Sequence, residues 1–467
     1  MYEILRFQEI FEAKREINRE DEKMSPKNGL YLTSADYESW QDYFGALVKD
    51  DYVKPRPGVC ATDPDLKSKN ITFVVTEKCN LNCTYCYETH KSNKKMSKQV
   101  AKDAIDFLFD EGKVNGYFDH VTSPGVILDF IGGEPLLEIE LIDYIVEYFK
   151  FKAFEVNSPW AFNYMIAFTT NGILFKTKAV QDFLKRNKGR VSIGLTIDGN
   201  KELHDACRVF PNGSGSYDIV EEAAKEWVKI DGHPQTKITL SPFNVSYLNN
   251  ALRNVWNLGI NGAHTNCVFE EGWTKEHAKI FYKELIKLAD YLLEEQRYSK
   301  FYTSLFDESI GTPLVDTKNW CGGNGRMLAI APDGRCFPCI RFMKYSLSER
   351  KEQPIGDIWN GLNKKEDNKW LNQLKQINMV TQCQWADNKK CLTCQIAQGC
   401  SLCTGYNYDK FGDPNHKATF ICDMHHARVL ANVYYWNELY KNLGIDRAFV
   451  NNVPKDWRES NGLCSNM

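Results

Sequence analysis

Between residues 70 and 270 the chain alternates between two hydrophobic patterns. Six short runs are nearly continuous in apolar and β-branched residues: ITFVVTE (71–77), VILDFIG (126–132), YMIAFTTN (164–171), SIGLTID (192–198), KITLSPF (237–243) and AHTNCVF (263–269). Such runs predict strands buried on both faces, as in a parallel sheet covered by helices. The gaps between them carry apolar residues three and four apart. In SKQVAKDAIDFLFDEG, Ser97 suits an N-cap, and Val100, Ile105 and Leu108 share one side. LIDYIVEYFK, AVQDFLKR, SYDIVEEAAKEWV and NALRNVWNLG fill the other gaps, and KEHAKIFYKELIKLADYLLEEQ predicts a long helix after the sixth strand.

Repeated strand–helix alternation implies parallel strands joined by right-handed crossovers. Six such units fall short of a closed eight-stranded barrel. The expected fold is therefore α/β, a partial (β/α)6 TIM barrel that stays open. In such folds the site forms at the C-terminal ends of the strands. The unusual residues sit there: three cysteines after the first strand, GGEP after the second, Asn171-Gly172 after the third and Asp198-Gly199 after the fourth.

The flanks read differently. Residues 1–66 are polar, hold a KPRPG cluster at 54–58 and show no period, which suggests a small N-terminal module. From about 311 the chain is rich in turn residues and cysteine, and ARVLANVYYWNELYKNLG predicts an amphipathic packing helix near the end. The expected domains are an N-terminal module (1–66), a barrel (67–310), a cysteine-rich domain (311–425) and a C-terminal helix and tail (426–467).

Charge adds exclusions. The 58 basic and 61 acidic residues are well mixed, which gives no sign of a nucleic-acid partner. The N-terminus is too charged for a signal peptide, and no run approaches the ~18–20 apolar residues of a membrane span. A cytoplasmic protein is expected, without membrane partners. Sixteen cysteines then need a reason, because thiols stay reduced there and clustered ones bind metal or do chemistry.

Cys79, Cys83 and Cys86 lie in TEKCNLNCTYCYETH with C-x3-C-x2-C spacing. Four-iron clusters are held by cysteine thiolates. Three thiolates on one short loop leave the fourth iron open to a small molecule. A zinc site completed by a residue such as Cys60 is the competing reading, but structural zinc usually sits between paired C-x2-C knuckles.

This loop, with Tyr85 before its last cysteine, resembles that of the radical S-adenosylmethionine enzymes. The resemblance implies that S-adenosylmethionine chelates the open iron. Reductive cleavage would then release a 5′-deoxyadenosyl radical. Gly132-Gly133-Glu134-Pro135 looks like the family's GGEP segment, which holds the ligand's amino group, Glu134 being a suitable acceptor for an ammonium. Thr196 stands where related enzymes place a ligand-contacting Ser. Asp198, His204, Asp205 and Arg208 resemble the DG…HD…R pattern of the peptide-modifying branch. Arg208 suits the ligand carboxylate, and a structural role for it stays open, as it does for Asn171.

Cys321, Gly334 and Cys339, then Cys391-x2-Cys394-x5-Cys400-x2-Cys403 and Cys422, resemble the SPASM extension, although its last gap is usually one residue longer. The resemblance implies two auxiliary 4Fe–4S clusters, three clusters in all. Cys391, Cys394, Cys400 and Cys422 would hold the outer one. Cys321, Cys339 and Cys403 would hold the inner one, with Cys336, Cys383 or an open iron at its fourth position. A zinc ribbon needs well-separated knuckles. Cys60, Cys207, Cys267 and Cys464 read as small buried hydrophobes or free thiols.

Family resemblance and electron counting together imply a net two-electron oxidation of a peptide. Related sulfatase-maturing enzymes carry an Asp base directly after the Gly-x4-Cys cysteine, and here that residue is Ile340. The tail GCSLCTGYNYDKFG…ICDMHHARVLANVYYW resembles maturases of Cys-x-x-x repeat peptides, which form thioether crosslinks. The alternatives on the same scaffold are a carbon–carbon peptide cyclase and a sulfatase-type maturase. The expected partners are a ribosomally made precursor with a leader and a Cys-containing core, and a flavodoxin or ferredoxin as reductant. Residues 1–66 could take the leader as an added strand.

Overall fold

The computed structural model describes residues 69–463, apart from 121–122, 124, 231–233, 270–271, 314–320, 325–326, 349, 364–390 and 392–393. The expected N-terminal module, Cys60, Cys383 and Cys464 lie outside the described residues. All six predicted strands form: β1 (Lys69–Thr76), β2 (Val126–Gly132), β3 (Tyr164–Thr170), β4 (Val191–Leu195), β5 (Gln235–Leu240) and β6 (Gly262–Cys267). They are followed by a short β7 (Tyr302–Thr303). The helices alternate with them: α1 (Lys98–Leu108), α2 (Ile139–Glu155), α3 (Lys178–Arg186), α4 (Lys201–Cys207), α5 (Tyr217–Ile230), α6 (Leu248–Asn257) and α7 (Lys275–Leu293). Ser97 caps α1, its hydroxyl accepting from the Val100 amide at 3.1 Å. The helix α4, over the HD segment, has no counterpart in the sequence reading.

β1 is buried on both faces from Ile71 onward, as expected, but β2 and β3 alternate between buried and half-buried residues. Phe73 and Phe130 stack at 5.6 Å within the core that the helices cover. On the other face Val74 and Ile131 pack with Ala329, Phe337 and Phe342. An open barrel does not fill its own interior, so its inward positions rely on what comes after it in the chain.

The parallel order β1-β2-β3-β4 continues to β5-β6-β7, but the backbone ladder breaks between β4 and β5. Thr236 bridges the break: its hydroxyl donates to the Leu195 carbonyl at 2.6 Å and accepts from the Ile197 amide at 3.3 Å. A side chain thus spans the interruption in the ladder. The other edge of β1 is also covered. β8 (Met327–Ile330) lies parallel to it in register from Asn70–Met327 to Phe73–Ile330. It continues through β9 (Arg335–Phe337), β10 (Gly356–Asp357) and β11 (Gly361–Leu362). The cysteine-rich region therefore grows from the barrel's own sheet and removes an exposed edge. Gly334, at φ 81°, makes the β8–β9 turn. After α8 (Thr404–Phe411), α9 (Cys422–Leu443) packs along α7. α9 starts at Cys422.

Candidate active site

The three-cysteine loop leaves β1 and is strapped to the segment after α4. The Thr84 amide donates to the Cys207 carbonyl at 3.0 Å, and the Asn82 amide to the Val209 carbonyl at 2.8 Å. Arg208 lies between these two contacts. Its Nε donates to Asp198 Oδ2 at 2.6 Å, and its guanidinium lies over the Tyr85 ring at 5.4 Å. The Tyr85 hydroxyl donates to the same Asp198 oxygen. Asp198 is fully buried, and its Oδ1 accepts from the Thr239 amide at 3.3 Å. Burial by itself would lower the Arg208 pKa; Asp198, Tyr85 and Cys83 outweigh it and the net direction is up.

His204 and Asp205 hold this arrangement from behind. The Asp198 amide donates to His204 Nδ1 at 3.2 Å, so the proton sits on Nε2, which faces Ser216 Oγ at 3.0 Å. Ser216 Oγ in turn donates to the Arg208 carbonyl at 2.7 Å. Burial lowers the His204 pKa to about 3, which keeps the ring neutral. Asp205 Oδ1 accepts from the Tyr217 amide at 2.8 Å.

The GGEP segment presses on the cysteine loop itself. A Cβ on Gly132 would meet the Thr76 carbonyl oxygen at 2.1 Å, and one on Gly133 the Lys78 carbonyl oxygen at 2.4 Å. The glycines thus serve backbone-to-backbone contact. The buried Glu134 carboxylate accepts from the Thr170 hydroxyl at 2.7 Å, the Leu136 amide at 3.1 Å and the Asn171 amide at 2.8 Å. A carboxylate has about four lone-pair sites, so one remains, on Oε2. Burial raises the Glu134 pKa to about 7, against these hydrogen bonds. Asn171 links three motifs. Besides its bond to Glu134, its Nδ2 donates to Asn80 Oδ1 at 2.7 Å and approaches Cys79 Sγ at 3.8 Å. Thr196 closes the rim, its amide donating to the Thr170 carbonyl at 2.9 Å.

These thiols fit a cationic inorganic group. Burial pushes Cys79 to about 11, opposed by a bond from the Leu81 amide and by nearby Lys91; Cys83 is raised by burial too, with Arg208 opposing. Lys91 also contacts Cys86. Such thiols ionise readily only when a metal takes their charge.

The second cysteine field falls into two neighbourhoods. Cys321 Sγ lies 3.3 Å from Thr404 Oγ1, and a Cβ on Gly323 would be 3.6 Å from both Cys321 Sγ and Cys339 Cβ. Cys403 caps α8, its sulfur accepting from the Tyr406 amide at 3.4 Å. Burial raises Cys339 to about 12, and neighbouring Cys321 and Cys403 add to it. Cys422 is likewise raised to about 12 by burial, then by Cys400, Cys391 and Cys394. Cys336 stands apart in β9, paired with Gly356 and influenced by Asp357 rather than by another thiol. Among the described residues no cysteine is in a disulfide. Among the described residues, no three His, Cys, Asp or Glu side chains converge closely enough for a single metal ion.

Sequence reasoning missed the residues between the groups. Tyr87 feels both Cys86 of the first loop and Cys339 of the inner group, and the Arg341 guanidinium stacks on its ring at 4.6 Å. The adjacency of Tyr87 to Cys86 was visible; its proximity to Cys339 needed the β1–β8 pairing.

A parallel-stranded open barrel with a three-thiol loop on its rim and a cysteine-rich extension defines the class. Residues 73–244 match the Radical SAM superfamily, and residues 321–395 match the SPASM iron-sulfur cluster-binding domain. The chain carries a radical SAM domain followed by a SPASM domain, and its cofactors are S-adenosylmethionine and 4Fe–4S clusters. An uncharacterized protein of Methanocaldococcus jannaschii is 33% identical over 148 residues, 32% of this chain and 44% of that one. The antilisterial bacteriocin subtilosin biosynthesis protein AlbA of Bacillus subtilis is 22% identical over 304 residues, 62% of this chain and 59% of that one. The chain thus spans less than two thirds of either relative. The fold is shared with the solved structure of native anSMEcpe with bound AdoMet: TM-score 0.58, 17% identity, 80% of this chain and 99% of that one. Among the described residues no helix is long and apolar enough to cross a membrane.

Proposed function

We propose that this chain is a cytoplasmic peptide maturase that installs Cys thioether crosslinks in a ribosomally made precursor. The observation that carries the reading is that Cys86 of the first loop and Cys339 of the inner group both lie near enough to Tyr87 to act on its hydroxyl. It sets the radical-generating loop beside a second group of thiols, and a cluster held by them could accept an electron. The similarity to a subtilosin biosynthesis protein supports a peptide substrate. When bound, S-adenosylmethionine and the clusters supply a hydrogen-abstracting radical and take up the second electron. The net change is then one C–H and one S–H bond lost and one C–S bond formed.

The chain's own residues bind and orient. Cys79, Cys83 and Cys86 hold the site-differentiated cluster. Cys321, Cys339 and Cys403 hold the inner cluster, and Cys391, Cys394, Cys400 and Cys422 the outer one. The fourth inner position is left to Cys336, Cys383 or an open iron. Glu134 offers its remaining Oε2 site to the ligand's ammonium. Arg208 is fixed through Nε and offers its terminal nitrogens to the carboxylate, while Gly132, Gly133, Thr196, Tyr85 and Asp198 shape the pocket. The sulfatase-type route is disfavoured by Ile340, which cannot act as a base. A carbon–carbon cyclase uses the same apparatus and is separated by product.

The test is the product. Reduced enzyme, S-adenosylmethionine and a Cys-x-x-x repeat precursor should give a peptide two hydrogens lighter per crosslink. Its modified cysteines should resist alkylation after strong thiol treatment. Loss of the mass change on thiol treatment identifies a disulfide. A persistent change with every cysteine still alkylated identifies the cyclase.

A further inference from the structure

The exposed side of the three-cysteine loop carries a group of lysines that the chemistry above does not use. The segment 94–96 runs along the end of β1: Thr76 and Lys95 form an antiparallel bridge, the Glu77 amide donates to the Lys94 carbonyl at 2.9 Å, and the Met96 amide donates to the Val75 carbonyl at 2.9 Å. This folds Lys94 and Lys95 back beside Lys78, which leads into Cys79. Lys78, Lys94, Lys95 and Lys98 are all exposed. Lys91, next along the segment, contacts Cys86.

Of the acids near this face, Glu138 pairs with Lys95, and the others are bonded to other groups or buried. Glu77 accepts from Ser92, and Asp333 is bound by Arg335 at 2.8 Å. Glu138 makes a 3.6 Å contact with Lys95, whose side chain stays 65% exposed. Glu88 and Glu134 are buried. In a chain whose overall charge is −3, this is a local concentration of lysines, and its backbone runs beside the start of the loop that receives an electron from outside the protein on that reading.

We propose that Lys78, Lys94, Lys95 and Lys98 form the docking face for a small acidic one-electron carrier of the flavodoxin or ferredoxin type. The inference rests on the reading of Cys79, Cys83 and Cys86 as cluster ligands. Charge complementarity of this kind acts on encounter. It raises association rates by roughly 10–10³ at low salt and fades beyond a Debye length of about 10 Å at 0.1 M.

The experiment compares two reductants on the reconstituted full chain, without peptide. The variant is Lys94→Glu/Lys95→Glu/Lys98→Glu, with Lys94→Gln/Lys95→Gln/Lys98→Gln as a milder second one. Lys98 opens α1, where an acid suits the helix dipole. Cluster reduction is followed by electron paramagnetic resonance and S-adenosylmethionine cleavage by 5′-deoxyadenosine release. With sodium dithionite both variants should match the parent. With a reduced acidic flavodoxin at about 50 mM salt, the charge-reversed variant should be slower by roughly tenfold or more, with the gap closing towards 0.5 M. Equal rates with flavodoxin at low salt overturn the proposal. So does a variant that keeps its flavodoxin rate but loses binding of an acidic leader peptide, since the face then serves the substrate. Failure of the parent itself with dithionite instead refutes the cluster reading on which the proposal rests.

Discussion

Replacing Glu134 tests whether the GGEP carboxylate serves the ligand alone or the fold as well. Glu134→Ala leaves the Leu136 and Asn171 amides and the Thr170 hydroxyl without their acceptor in a buried site. An unpaired buried donor costs roughly 1–3 kcal/mol, so the two amides alone predict a loss of about 2–6 kcal/mol. The carboxylate also has a cost of its own. Its pKa rises from 4.5 to about 7 on folding, because burial disfavours the charge. The native state therefore holds the proton more tightly than the unfolded chain. Protonated Glu134 contributes fully below pH 4.5, and that contribution declines up to pH 7 by about 3 kcal/mol. Glu134→Gln keeps the shape, loses one acceptor and does not titrate. It should be destabilising at pH 5 and close to neutral at pH 8. The assay is urea unfolding of anaerobically reconstituted protein at both pH values, without S-adenosylmethionine, so that binding cannot contribute. Buried Asp129, raised to about 6, titrates in the same range and cancels in the difference between variants, whereas Glu88, raised to about 7 by burial and in part by Glu134, contributes that part to the difference. Unchanged stability of Glu134→Ala would refute the structural role. A pH-independent gap between parent and Glu134→Gln would refute the buried-charge argument.

Anaerobic reconstitution should load about twelve irons as three four-iron clusters, and Cys79→Ala/Cys83→Ala/Cys86→Ala should remove about four and abolish S-adenosylmethionine cleavage. Stoichiometric zinc with little iron would overturn both cluster assignments. Asp198→Asn leaves the Arg208 cation without its buried counter-charge and should cost about 3–5 kcal/mol by urea midpoint, largely recovered in Asp198→Asn/Arg208→Met. Strictly additive costs would remove the coupling. Gly133→Ala drives a Cβ into the Lys78 backbone, where no side chain can yield, so iron at the first loop should be lost while the auxiliary irons stay. A full iron count would show that the loop can move.

The barrel was legible because its signals are local. Continuous apolar runs marked β1 to β6, and Ser97 marked the start of α1. The motifs at the strand ends were legible for the same reason. Pairings between distant segments carry no such mark. β8 is four residues long, MLAI, and nothing in it names β1 as its neighbour, yet that pairing brings Cys339 to Tyr87. Thr236 is one hydroxyl among many until β4 and β5 part and leave the Leu195 carbonyl to it. Glu134 was identified as a site residue, but sequence could not show that three of its acceptor positions are already taken.

Those engaged positions suggest how the rim divides its work. A group that must meet a ligand reproducibly needs a fixed base and a free end. Arg208 has that form: Nε is held by Asp198, and among the described residues its terminal nitrogens make no hydrogen bond. Asp198, fully buried, has three of its acceptor positions engaged by Arg208, Tyr85 and Thr239. It fixes two elements at once, the cysteine loop through Tyr85 and the strap through Arg208. The carbonyls of Cys207 and Val209 then fasten that strap to Thr84 and Asn82. A shift of the cysteine loop would therefore carry Arg208 with it. On the proposed assignment, the ligand's carboxylate clamp and the thiols that hold its iron then move as one body, which preserves their spacing whatever the rest of the rim does when a peptide arrives.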